Sequence, residues 1–176
     1  RVMDSGWYIL SDEARAFDAS ISWQSGLPVA SGGQRLFISG MLGYTGPLGN
    51  TLAEVLATID RSVAADGTFP TGTFYLMQTT DVLRSGPRHG AFPAAVTAIA
   101  AHGGTAQHLF ADLPLGQFDA LGIMTGLAGP DIDNASLGVL PGAFCDHLTS
   151  HAGTFDSPAQ TKMSRWISKG ASGTSG

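Results

Sequence analysis

From residue 36 the apolar positions fall in short blocks whose period switches between strand and helix. "LFISG" (36–40) is an apolar run closed by glycine and predicts a strand. After the loop "MLGYTGPLGN", the stretch "TLAEVLATIDRSVAADG" places Leu52, Val55, Leu56, Ile59 and Val63 at helical spacing. Thr51 and Glu54 form a capping box at its start and Gly67 stands near its end, so a helix is predicted over 51–65. "TFYLMQT" is β-branched and aromatic and predicts a strand over 73–79. "FPAAVTAIAAHGG" has an early proline and a glycine stop, which predicts a helix over 92–102. Further strands are predicted at 106–110, 120–125 and 143–148. "SPAQTKMSRWISKG" predicts a helix over 158–169, with Ser157 as N-cap, Pro158 in the first turn and Gly170 at the stop. The first 35 residues show no sustained period and are read as an irregular segment of the one domain that spans 1–176.

Strands alternating with helices imply parallel pairing. The expected fold is an α/β three-layer sandwich with a mostly parallel sheet of about five strands, in caspase-like or flavodoxin-like order. Ligand crevices in such sheets lie beyond the carboxyl ends of the strands. That rule selects Thr79, Thr80, Asp81 and Arg84 after one strand, Thr125 and Gly126 after another, and Asp146, His147, Thr149, Ser150 and His151 after the last. The expected ligand-binding set is Thr80, Asp81, Arg84, Thr125, Asp146 and His147.

The segment "PGAFCDHLTSHAG" (141–153) holds the chain's one cysteine and two of its five histidines. A hydrolase would use His147 as base with Cys145 or Ser150 as nucleophile, and Asp146 as a further member of the set. A metal site would use Cys145, His147 and His151, joined by His89, His102 or His108, because a closed zinc site takes four ligands. The plainer reading is that Cys145 is a buried small hydrophobe and that Asp146 and His147 fix the turn out of the strand. "GMLGYTGPLGN" sets four glycines between a strand and a helix, but matches neither dinucleotide nor P-loop spacing and has no lysine, so a packed turn is expected. Asp81, Arg84 and Arg88 read as an ion-paired loop, and "DNAS" fits the glycosylation pattern at Asn134.

Hydrophobic residues make up 43 % of the chain and charged residues 13 %, a balance that builds a core. The net charge is −5, and the nine Lys and Arg are spread thinly, so no nucleic-acid footprint is visible. No apolar run reaches a membrane-spanning length, and no motif asks for a cofactor.

"LAEVLATIDRSVAADGTFPTGTFYLMQTTDVLRSGPR", "LGIMTGLA", "LPGAFCDHLTSHAG" and "QTKMSRWISKGASGTSG" together resemble an uncharacterised family of exported bacterial proteins from species that carry the exosortase sorting system. The resemblance covers about residues 36–176. It implies export, to the periplasm, outer-membrane surface or medium, and it implies architecture rather than chemistry. The family places a small apolar residue where this chain has Cys145, so a cysteine nucleophile is not part of its pattern. Its members continue past the equivalent of "GASGTSG" into a further strand. A looser similarity to caspase- and gingipain-like folds runs through a strand, a helix, "W-x-x-x-G-A" and another strand. Because "SRWISKGASGTSG" stops after a helix and a Gly-Ser turn, where a βαβ unit should deliver its next strand, "ASGTSG" is expected to end without a partner element, and the chain to be a fragment of a longer product. The expected function is a non-catalytic exported or envelope-associated subunit or binding module, whose partners are other protein subunits or the rest of its own precursor.

Overall fold

Five segments pair side by side in the computed structural model, which describes residues 41–176. The expected strand at 36–40 and the irregular segment 1–35 lie outside the described residues. In chain order the elements are α1 (Leu52–Ala65), β1 (Thr73–Met77), α2 (Val82–His89), α3 (Phe92–Ala101), β2 (Thr105–Leu109), β3 (Ala120–Thr125), β4 (Val139–His147), α4 (Ser164–Lys169) and β5 (Gly173–Ser175). All five strands are parallel, in the order β2-β1-β3-β4-β5. This is the flavodoxin-like order of doubly wound sheets.

Register and pleat divide the side chains between two faces. Tyr75, Ile123, Cys145 and Thr174 are in register across four strands and share one face. Tyr75, Ile123 and Cys145 pack there with Trp166 of α4 and with Leu113, Ile132 and Leu137 from connecting loops. Phe74, Leu76, Phe144 and Asp146 point to the opposite face. There Phe92 of α3 meets His108 edge-on at 5.5 Å, Arg88 of α2 reaches Asp146, and the end of α1 stands beside Phe74 and Phe144. Helices on both faces make the three-layer α/β sandwich.

Caps set the start of α1 and the end of α4. Glu54 N–H donates to Thr51 Oγ1 at 3.2 Å and Thr51 N–H donates to the Glu54 carboxylate at 2.6 Å, the reciprocal box that starts α1. Gly170, at φ 113°, stops α4 in the left-handed region.

Three expectations are corrected. Residues 81–88, read as an ion-paired loop, start a helix: Asp81 caps α2 by accepting from Arg84 N–H. The helix predicted over 158–169 begins only at Ser164, because Gln160 adopts φ 62° and Thr161 N–H turns to the Ala128 carbonyl. "ASGTSG" does have a partner element: Gly173–Ser175 forms β5 against β4. The βαβ unit thus completes itself at β5 through α4. A Cβ at Gly173 would crowd the Phe144 ring at 3.0 Å, so the glycine lets β5 lie close beside it. Beyond β5, Met41 and Thr174 exchange two backbone hydrogen bonds, of 2.6 and 3.0 Å, in an antiparallel bridge.

The orientation of α1 is the unexpected part of the fold. Its fully buried residue is Thr58, with Arg61, Ser62 and Ala65 half-buried on the same side. Leu52, Leu56, Ile59 and Val63 lie on the opposite side and are 66, 52, 51 and 70 % exposed. The helix is amphipathic, but four of the five apolar positions of its stripe face outward; only Val55 is half-buried, beside Gly43.

Candidate functional site

The carboxyl end of the sheet holds most of the residues that sequence pointed to. Thr79 leaves β1 and donates through Oγ1 to the Gly126 carbonyl after β3, at 2.6 Å. Those are the strands at which the order reverses, where an open crevice is the rule. Here the backbone of α2 fills it: a Cβ on Gly126 would come within 2.4 Å of the Arg84 carbonyl oxygen. Asp81 and Arg84 pair at 2.9 Å, and Arg84 Nε–H donates to Thr149 Oγ1 at 2.8 Å. Thr149 in turn donates to Gln160. Arg88 pairs with Asp146, and Ser175 donates to the second oxygen of the same carboxylate. Thr125 is buried and donates to the Asp112 carbonyl at 2.9 Å, and Thr80 is exposed. The expected ligand set is therefore gathered at one end of the sheet, but Asp81, Arg84, Thr125, Asp146 and His147 are spent on each other and on neighbouring elements. Their work is to tie α2, β4, β5 and the 148–163 segment together.

Residues 141–153 resolve into separate environments. Cys145 is fully buried among Tyr75, Ile123 and Trp166, and burial pushes its thiol up to about 12. His147 is also fully buried. Its Nδ1 accepts the Trp166 indole N–H at 2.9 Å, which places its proton on Nε2, donating to the Thr161 carbonyl at 2.9 Å. Both ring nitrogens are thereby occupied, and burial pulls the pKa below the ordinary histidine value. No hydrogen bond joins Cys145 to His147 among the described residues. Ser150 and His151 are exposed on the following turn, and neither hydrogen-bonds the His147 ring among the described residues. Lys162, buried nearby, donates to the His151 and Ala159 carbonyls, and burial lowers its pKa. Among the described residues no group of three His, Cys, Asp or Glu is placed to hold a metal, so Cys145, His147 and His151 are not brought together as ligands. Asn134, the glycosylation candidate, is exposed and donates to Asp131.

The feature missed in the sequence lies at the other end of the domain. An apolar groove of about 810 Å³ opens between the last turn of α1 and the sheet. Val63, Phe69, Pro70, Phe74, Leu121 and Phe144 form its apolar walls. Val63 also ends the outward stripe of α1, so groove and stripe are continuous. Phe69 is 88 % exposed and holds φ at 50°, a backbone conformation that costs a non-glycine residue about 1 kcal/mol or more. The available signal was the stripe itself, whose period is visible but whose direction is not.

No family model, curated protein or solved structure matches this chain. No helix of the described residues is long and apolar enough to cross a membrane.

Proposed function

We propose that this domain is a non-catalytic binding module that works as a subunit of a larger assembly and docks through the outer face of α1 and the adjoining groove. The supporting observation is the inverted helix: Thr58, Arg61 and Ser62 turn inward while Leu52, Leu56, Ile59 and Val63 turn out. Scattered apolar side chains on a surface need no explanation, but a continuous stripe leading into an apolar groove is the mark of an interaction surface. An exported or envelope-associated setting belongs to the same proposal and rests on the resemblance of residues 36–176.

The hydrolase alternative asks Cys145 or Ser150 to work with His147. The thiol is buried with a raised pKa, and both imidazole nitrogens are occupied. The metal alternative asks the same buried groups to coordinate. Neither draws support from this geometry.

The test compares the whole chain with Leu56→Glu/Val63→Glu in extracts of its source. The variant is expected to melt like the parent, because both positions are exposed, and to lose the partner that co-purifies with the parent. A variant that retains every partner sinks the proposal.

A further inference from the structure

The charges around the α1 stripe select its occupant. Asp60 borders the stripe on one side, and Asp66, the C-cap residue, borders it on the other and also lines the groove. Neither makes an ion pair among the described residues. Every described cation is engaged elsewhere: Arg61 turns inward to Thr58 and the Ile167 carbonyl, Arg84 and Arg88 pair with Asp81 and Asp146, Arg165 pairs with Asp133, and Lys162 and Lys169 donate to backbone carbonyls. The last turn of α1 contains no basic residue. Asp66 therefore adds its negative charge at the carbonyl end of α1, where a helix end ordinarily favours a cation.

We infer that the occupant is an amphipathic helix of a partner protein, with an apolar stripe edged by Lys or Arg. This rests on the reading of α1 as a docking face. Leu52 to Val63 spans about 16 Å at 1.5 Å per residue, which matches about three turns of a second helix laid alongside. The groove at the Val63 end receives one bulky apolar side chain of that helix, and Phe69 forms its outer wall. Basic residues at the edges of the stripe then reach Asp60 and Asp66 and the carbonyl end of α1. A second copy of this chain is disfavoured, because two such faces would bring acidic edges together. An anionic lipid surface is disfavoured for the same reason.

Two helical peptides of about four turns test the inference, both with one leucine stripe, one with lysine at the stripe edges and one with glutamate. Binding to the isotopically labelled 176-residue chain is followed by fluorescence anisotropy and by chemical-shift mapping. The lysine peptide is expected to bind about tenfold more tightly at low salt, the range two surface charge pairs supply. Its shifts are expected on 52–66 and 69–74, the preference to shrink as salt rises, and Asp60→Lys/Asp66→Lys to reverse it. Equal affinities, or a glutamate preference, with shifts still on α1 would overturn the basic-helix inference and leave the docking face standing. A dimer in sedimentation that Val63→Glu dissolves would assign the face to a second copy. Failure of the lysine peptide to bind, or shifts mapping elsewhere, would overturn the inference as well.

Discussion

The Trp166 indole donates to His147 Nδ1 at 2.9 Å inside the core, and this bond fixes the histidine as the Nε2–H tautomer. It joins α4 to the end of β4 and leaves the ring no nitrogen for other chemistry.

A pH dependence follows. Burial, outweighing the opposing Thr161 carbonyl and Asp146 charge, holds the His147 pKa below its ordinary 6.5. As pH falls through about 6.5 the unfolded chain takes up this proton first. Stability is therefore full above that pH and declines below it toward the depressed folded pKa, with a limiting slope of about 1.4 kcal/mol per pH unit. Urea unfolding between about pH 8 and pH 5 measures the slope. His147→Gln, which keeps an acceptor and a donor, is expected to flatten it; an unchanged slope would refute the assignment.

Cys145 is expected to resist a thiol reagent at neutral pH until the chain unfolds, because the thiol has no exposed surface and its pKa is about 12. Cys145→Ser is expected to cost about 1–3 kcal/mol by burying a hydroxyl in an apolar cluster. Rapid labelling of the native protein would contradict the buried assignment.

Gly126→Ala is expected to destabilise by about 1–3 kcal/mol. The new methyl group would meet the Arg84 carbonyl oxygen at 2.4 Å and the Ser85 nitrogen at 2.6 Å, both backbone atoms that move only with α2. A neutral result in thermal melts would show that α2 is free to shift away from the sheet.

Arg88→Ala removes the charge partner of Asp146, which stays buried with Ser175 as its remaining donor. A loss of about 2 kcal/mol or more is expected at neutral pH. Adding Asp146→Asn should recover part of it, by neutralising the stranded carboxylate. A double variant no better than Arg88→Ala would indicate that packing, not charge, dominates.

β1, β2, β3, the second half of β4 and the helices α1 and α3 were legible from apolar runs and turn signals that agreed with the tertiary fold, whereas β4 starts at Val139, four residues before the expected 143. Short elements were not. β5 has three residues, two of them Ser and Gly at its ends, and carries no period. α2 contains Ser85, Gly86 and Pro87, which read locally as a turn; the Asp81 cap and the sheet beneath override that reading. Gln160 gave no warning of its positive φ. At the carboxyl end the topology rule found the right residues, but it assumes an open crevice, and Gly126 lets the backbone of α2 close it. The outward turn of α1 was illegible for a different reason: a stripe's period says that a face is apolar, not which way it points.

Met41 and Thr174 close a seam between the two extremes of the described chain. β5 is bonded on both edges, to β4 inside and to Met41 outside, although it is only three residues long. Such a contact closes a long loop of chain, at an entropic cost that the packing between its two partners must offset. It acts as a latch. Releasing it frees β5 from Met41 and leaves a three-residue strand held by β4 alone, at the place where Ser175 steadies Asp146. Strain that reaches Met41 or the outer edge of β5 therefore falls on the same seam, and the two sides of that bridge share one fate.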